Sequence, residues 1–217
     1  EKNIEKFLAI STDKSVSPVN LYGGSKFVAE KLVLAANNYK GQNKCNFSCV
    51  RYGNVFGSRG SVIPLFLEQN KKNNLFTITD KKMTRFSMTL DQSVKFVLKC
   101  LAEMQGNEIF IPKLPSYRVV DLANAVNNKK KIKVIGLRPG EKIDETLISK
   151  EELSYCHEFK DYYIVFNCLL DFNKIKKKYK IKKINLALKS QYDSKNNLTY
   201  LNKDEIKKLI KDYISQY

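Results

Sequence analysis

Two short stretches near the amino end carry residue types that can move protons. Ser11-Thr12-Asp13-Lys14 sets hydroxyls, a carboxyl and an amine side by side, and Tyr22 and Lys26 follow at a spacing of four. On a helix that spacing puts both side chains on one face. A free phenol, with a pKa of about 10, is a poor base at neutral pH. An ammonium about 4 Å away, at an effective dielectric of about 20, is worth roughly 4 kcal/mol. That is enough to bring such a phenol towards neutrality. Tyr-x-x-x-Lys is thus a way to make a base that takes a proton from a sugar or alcohol hydroxyl. The pair alone also fits a solvated helix face; its position in the chain separates the two readings.

The elements around these residues supply that position. Phe7-Leu8-Ala9-Ile10 has the length of a buried strand and is stopped by polar residues, so Ser11 to Lys14 falls at a strand's C-terminal end. Open parallel α/β sheets bind their ligands at that end. Ser17-Pro18-Val19-Asn20 breaks the chain, and an amphipathic helical pattern runs over 22–38. Phe47-Ser48-Cys49-Val50 is a second strand, ending at Arg51-Tyr52-Gly53-Asn54. A helical crossover between two strands predicts parallel pairing. Further on, the pattern predicts helices over 62–70, 91–104 and 119–126, and strands over 75–79 and 108–111. In the second of these helices Val94, Val97, Leu98 and Leu101 share one face. Residues 133–135 lead into Gly136-Leu137-Arg138-Pro139-Gly140-Glu141, and a helix over 204–215 is capped by Asn202 or Asp204. There is no internal repeat and no low-complexity linker.

Composition narrows the function classes. The 217 residues allow one large domain or two small ones. No apolar run approaches the roughly 18 to 20 residues of a membrane span, and no signal-peptide pattern opens the chain. Cys45, Cys49, Cys100, Cys156 and Cys168 are odd in number and contain no Cys-x-x-Cys pair, which speaks against a disulfide scaffold and fits a reduced, cytoplasmic setting. His157 is the single histidine and makes no metal site with Cys156. The net charge of +17 invites a nucleic-acid partner. Its excess, however, is lysine scattered among asparagine, without a nucleic-acid-binding motif. Arginine is scarce by contrast: Arg51, Arg59, Arg85, Arg118 and Arg138. Where lysine is used so freely, arginine suggests a need for the planar fork that grips phosphate.

Taken in order, Ser-Thr-Asp-Lys at 11–14, Asn-Leu-Tyr-Gly-Gly-Ser-Lys at 20–26, Arg51-Tyr52-Gly53-Asn54-Val55, Gly57-Ser58-Arg59-Gly60-Ser61-Val62-Ile63-Pro64, Met83-Thr84-Arg85-Phe86 and Arg138-Pro139-Gly140-Glu141-Lys142 resemble one family. It is the extended short-chain dehydrogenase/reductases acting on nucleotide sugars, and within it the inverting UDP-N-acetylglucosamine 4,6-dehydratases of pseudaminic-acid biosynthesis and flagellin glycosylation. The resemblance covers most of the chain and is weakest over 156–189. It implies an α/β fold: the C-terminal half of a Rossmann-type doubly wound parallel sheet, plus a smaller α/β lobe. Residues 1–57 and 90–112 would be the second half of the NAD(P)-binding domain, and 58–89 and 113–217 the nucleotide-sugar lobe. The glycine-rich turn that seats a dinucleotide pyrophosphate does not occur in this sequence. That lack, with Glu1 as first residue, leads us to expect an N-terminally truncated fragment that exposes an apolar sheet edge and has no turnover alone.

The resemblance also implies roles. Hydride leaves carbon 4 of a UDP-sugar for NADP (NAD being the other candidate), water is eliminated across carbons 5 and 6, and hydride returns to carbon 6. Tyr22 is the base at the carbon 4 hydroxyl, Lys26 supports it and holds the nicotinamide ribose, and Thr12 bonds near the reacting hydroxyl. Lys14 is the base at carbon 5, and Asp13 the acid for the departing hydroxyl. Asn54 contacts diphosphate or sugar, Arg138 clamps diphosphate, Glu141 accepts from the uridine ribose, and Arg85, with Arg59 behind it, serves the same nucleotide. The blander alternatives are a turn capped by Asp13 beside an exposed Lys14, a positive-φ turn at Asn54, and a loop ion pair between Arg138 and Glu141. A UDP-sugar 4-epimerase or reductase of the same fold, or a fold relative kept for binding, would share most of these residues. The expected partners are a UDP-sugar and a second copy of the chain, with no nucleic acid and no membrane.

Overall fold

The computed structural model describes residues 4–39, 41, 44–166, 177, 179, 188 and 190–215. In chain order the elements are β1 (Lys6–Thr12), α1 (Leu21–Tyr39), β2 (Asn46–Tyr52), α2 (Val62–Lys71), β3 (Phe76–Ile78) and β4 (Thr84–Phe86). Then follow α3 (Leu90–Glu103), β5 (Glu108–Pro112), β6 (Ser116–Arg118), α4 (Val119–Val126), β7 (Ile132–Val134) and β8 (Thr146–Ile148). The last are β9 (Cys156–Glu158), β10 (Tyr162–Phe166), β11 (Tyr192–Asp193) and α5 (Lys203–Ile214). The chain forms two compact units: Glu1–Tyr52 with Val94–Lys113 and Thr146–Tyr192, and Gly53–Ser93 with Leu114–Glu145 and Asp193–Tyr217.

The first unit is built on a five-stranded sheet of order β1-β2-β5-β10-β9. β1 pairs with β2 in parallel, Lys6 opposite Asn46 through Thr12 opposite Tyr52, as the helical crossover predicts. β2 and β5 are parallel too. β10 then runs antiparallel to both β5 and β9. β9 and β10 therefore belong with the sheet, not with the smaller lobe expected over 113–217. The reason is plain in β10: Tyr162 to Phe166 are all buried, and their backbones complete the far side of β5. Val50, Cys100, Met104, Phe110, Ile164 and Phe166 form the core on one sheet face.

β1 lies at an edge of the described sheet, and Ile10 is 57% exposed. One burial expectation changes. In α3 the face that packs carries Phe96, Val97 and Cys100, whereas Leu98 is 60% exposed. Periodicity finds an apolar stripe but not which part of it meets the sheet. The Lys6 ammonium ties β1 to the end of α3, donating to the carbonyls of Leu101 (2.9 Å) and Ala102 (2.6 Å). Asn37 does the same for α1 and β2: its side chain donates to the Phe47 carbonyl and accepts from the Phe47 N–H.

The second unit packs α2, α4 and α5 around small two-stranded sheets. β3 is parallel to β7, and β4 antiparallel to β6. Ile63, Phe66, Phe76, Ile78, Leu122 and Ile206 lead its core. Asn202, not Asp204, caps α5: its side chain accepts from the N–H groups of Asp204 and Glu205, and the Glu205 carboxylate returns a bond to the Asn202 N–H. Gly57, at φ 75°, lies against the Tyr213 ring of α5, 2.3 Å from where a Cβ would stand, so no side chain fits there.

Candidate active site

The chemistry-bearing residues of the first unit gather where β1 turns into α1. After β1 the chain makes one 3-10 turn, Asp13–Ser15, capped by the Thr12 hydroxyl, which accepts from the Lys14 N–H. That cap frees Asp13 from the capping job a bland reading gives it. Asp13 is fully buried; its Oδ1 accepts from the Thr12 hydroxyl (2.8 Å) and the Lys14 ammonium (3.0 Å). Its Oδ2 has no hydrogen-bond partner among the described residues. A buried carboxylate oxygen left unmatched costs free energy, and such an orphan asks for a ligand or a reacting group to meet it. The Lys14 side chain is one-third exposed, reaching from that buried carboxylate towards solvent.

Helix α1 starts one residue before the predicted Tyr22 because Asn20 caps it. The Asn20 side chain accepts from the Gly23 N–H (2.8 Å), and its carbonyl from the Gly24 N–H (2.9 Å). The first turn then presses on the 3-10 turn. A Cβ on Gly23 would meet the Lys14 carbonyl oxygen at 2.5 Å and Pro18 Cβ at 3.0 Å, whereas one on Gly24 would meet nothing within 4 Å. The first glycine of the pair is thus what lets α1 approach the backbone of Lys14. Tyr22, next in sequence to Gly23, thus belongs to the helical turn that approaches Lys14. The Lys26 ammonium lies over the Tyr22 ring, 5.7 Å from its centroid, and the Tyr22 ring is 54% exposed. The five residues expected to react, Thr12, Asp13, Lys14, Tyr22 and Lys26, therefore stand around one strand-to-helix connection.

The expected substrate-binding residues all lie in the second unit. Asn54 is half-buried in the loop after β2 and does not adopt the positive φ of a turn residue. Arg138 is exposed. Glu141 holds its own loop, accepting from the Arg138 N–H (3.4 Å) and from the Thr79 hydroxyl (3.3 Å). Arg85 donates to the carbonyls of Thr84, Ile143 and Lys142 at 2.7, 2.8 and 3.0 Å, with Glu145 at 3.6 Å. Its fork grips backbone, and the segment it grips is the one that follows Glu141. Arg59 is exposed.

Arg51 departs furthest from expectation. It is buried, and all five of its N–H groups are used within the first unit. Nε and one terminal nitrogen grip both oxygens of Glu30; the terminal nitrogens also grip both oxygens of Glu152, and one of them reaches the Leu147 carbonyl. No donor is left for a phosphate. Burial by itself would weaken the guanidinium's hold on its proton, but Glu30 and Glu152 outweigh it and push the pKa up. Burial likewise pushes Glu152 up, and the charge and hydrogen bonds of Arg51 bring it to a net lowered value.

A model of the family described as polysaccharide biosynthesis protein matches residues 1–167. The chain belongs to that family. Among curated members and relatives, it is 43% identical over 98% of its length to an uncharacterized membrane protein of Methanocaldococcus jannaschii, covering 63% of that protein. It is 46% identical over 76% of its length to a UDP-N-acetylglucosamine 4,6-dehydratase (inverting) of Campylobacter jejuni, covering 50% of it. To a UDP-glucose 4-epimerase of Rickettsia bellii it is 40% identical over 98% of its length, covering 64%. The chain thus spans half to about two thirds of the length of these relatives. Among solved structures, Pen from Bacillus thuringiensis superposes with a TM-score of 0.82 at 35% identity, over 97% of this chain and 63% of that one. The structural neighbours are Rossmann-fold short-chain dehydrogenase/reductases, in agreement with the expected α/β class and with the extended branch of that superfamily.

Within this polysaccharide biosynthesis family member, sequence reasoning passed over Ser11, Ser15, Glu30 and Glu152. A signal for Glu30 was present: it lies eight residues after Tyr22 and four after Lys26, on their face of the helix, amid apolar neighbours. The thiols take no part. Cys45, Cys49, Cys100 and Cys156 are free and buried, and burial pushes Cys49 and Cys156 up to about 12. Cys168 lies outside the described residues. Among the described residues no cluster could hold a metal ion, and no helix is long and apolar enough to cross a membrane.

Proposed function

We propose that the protein acts in a nucleotide-sugar 4,6-dehydratase that converts UDP-N-acetylglucosamine to a UDP-4-keto-6-deoxy-hexosamine, with inversion at carbon 5. The observation that carries this reading is the Asp13–Lys14 pair, a buried acid with one oxygen unmatched and an amine 3.0 Å from the other. A simple epimerisation at carbon 4 needs only a base for one hydroxyl. Elimination needs two more proton transfers, and a carboxyl–amine pair suits both.

The Tyr22 phenol and Lys26 ammonium, a hydroxyl and a cation on one face of α1, have the chemistry to hold a ribose diol, so these residues fit a nicotinamide dinucleotide. When bound, that cofactor (NADP, or NAD) supplies the acceptor for the hydride from carbon 4 and its later donor. Tyr22 takes the proton of the carbon 4 hydroxyl, with Thr12 holding that oxygen. Lys14, as the neutral amine, takes the proton from carbon 5. Asp13, as the neutral acid, gives its proton to the oxygen on carbon 6, which leaves as water. The pair then stands as ammonium and carboxylate, the contact seen at 3.0 Å. Once carbon 6 is reduced, carbon 5 takes a proton from solvent on its opposite face, Tyr22 gives up the proton it took from the carbon 4 hydroxyl, and a proton passed from Lys14 to Asp13 restores the pair. In the second unit Arg138 and Asn54 would meet diphosphate, Glu141 the uridine ribose, and Arg85 would act on the nucleotide by shaping the segment after Glu141.

The second reading, a UDP-sugar 4-epimerase, draws support from the Rickettsia bellii relative, which matches 98% of the chain. Product analysis separates the two. The full-length protein is incubated with UDP-N-acetylglucosamine and cofactor in deuterated water, and the first product is followed by NMR. A 4-keto-6-deoxy sugar of inverted configuration with deuterium at carbon 5 is expected; UDP-N-acetylgalactosamine would move the protein to the epimerases. In the same assay Tyr22→Phe is expected to abolish the single-turnover rise of reduced cofactor while UDP-sugar affinity, by calorimetry, stays within about twofold.

A further inference from the structure

We propose that Glu30 is a positioning residue that locks the Thr12–Ser15 turn to helix α1, so that the Asp13–Lys14 pair and Tyr22 keep one fixed geometry. This rests on the reading of those three residues as reacting groups. The Glu30 side chain projects one turn beyond Lys26 and is almost completely buried. One oxygen, Oε2, accepts three hydrogen bonds: from the Ser11 hydroxyl at 2.7 Å, the Ser15 hydroxyl at 3.2 Å and Arg51 Nε at 3.0 Å. Ser11 and Ser15 bracket the reacting turn, and the single Ser15 proton is shared between Glu30 Oε2 and the Thr12 carbonyl, the latter at 2.7 Å. A single carboxylate thus holds both ends of the turn from the helix that carries Tyr22 and Lys26.

The charge arrangement explains why the serines matter. Arg51 faces two carboxylates, the buried Glu30 and the partly buried Glu152, so it is outnumbered in the cluster. Arg51 is shared between both, and the two serine hydroxyls supply the rest of what Glu30 needs. Buried ionic groups of this kind add little net stability over an apolar core; their best-attested use is to enforce one register. Here the register enforced is that of the turn against the helix. Gly23 allows the two to touch, and Glu30 keeps them from sliding. A misplacement of about 1 Å in a reacting group can cost roughly a hundredfold in rate.

The test removes the link but leaves the ion cluster intact. In the full-length protein, Ser11→Ala and Ser15→Ala are combined, and wild type and variant are compared by steady-state kinetics and by amide hydrogen exchange. We expect kcat to fall roughly 10- to 100-fold with KM within about twofold. Exchange should quicken at residues 12–16 and 21–24 and stay unchanged in the paired residues of β2 and β5. Unchanged kcat, a change confined to KM, or exchange that quickens evenly over the sheet would overturn the proposal, the last by making the serines general structural support. The exchange arm needs no turnover. If the wild type proves to be an epimerase or inactive on the sugar tested, the dehydratase reading fails while local quickening still decides the coupling.

Discussion

Arg51 and Arg138 occupy similar places in the sequence, each inside a motif shared with nucleotide-sugar enzymes, and have opposite places in the structure. Arg51 is 2% exposed, with its five donors spent on Glu30, Glu152 and a carbonyl. Arg138 is exposed, in a loop tied down by the carboxylate of Glu141. A guanidinium suits both settings because it stays charged under burial and its fork matches a carboxylate as well as a phosphate. What separates them is what the fold places opposite the fork. A motif arginine is therefore a statement about planar recognition, and only its surroundings say whether the partner is inside the protein.

The contrast can be broken most sharply by removing each fork. Arg51→Met leaves the buried Glu30 and the partly buried Glu152 facing no cation and is expected to cost about 3–5 kcal/mol in urea unfolding. Arg138→Met is expected to stay within about 0.5 kcal/mol of wild type, as surface changes do, and to raise KM for the UDP-sugar in the full-length protein. Equal stability losses would erase the distinction. The neighbouring glycines give a second, smaller contrast. Gly23→Ala forces a Cβ against the Lys14 carbonyl and should cost about 1–3 kcal/mol, typical of overpacking, with activity falling alongside. Gly24→Ala meets open space within a helix and should be neutral or stabilising by up to about 1 kcal/mol.

The smallest effect concerns acid. The native pKa of Glu152 lies below its unfolded value, near 4.3, so the stability it contributes is present above that pH. It is lost as pH falls through the lowered native value. Glu152→Gln should therefore flatten the fall in stability below about pH 4.5 relative to wild type, read from urea midpoints between pH 3 and 6. A parallel acid limb in the variant would mean that the acid sensitivity of the fold comes from groups other than Glu152.

The strand, turn and helix that carry Thr12, Asp13, Lys14, Tyr22 and Lys26 were legible in the sequence because each depends on near neighbours. An apolar run, a proline-containing break and an i, i+4 pair act within a few residues of one another. The parallel pairing of β1 and β2 was legible for a similar reason, since a helical crossover leaves little else. The same local cues fell short where partners are distant. They could not say which part of the α3 stripe meets the sheet. Placing β10 beside β5 required backbone pairing between Tyr162 and Pro112, which no local pattern announces. The role of Arg51 depends on Glu30, 21 residues away, and Glu152, 101 residues away. Charge, reach and periodicity are properties of a residue and its neighbours. Burial is a property of the assembled fold, and it made Arg51, a motif arginine given no role of its own by the sequence, the anchor of an ion cluster.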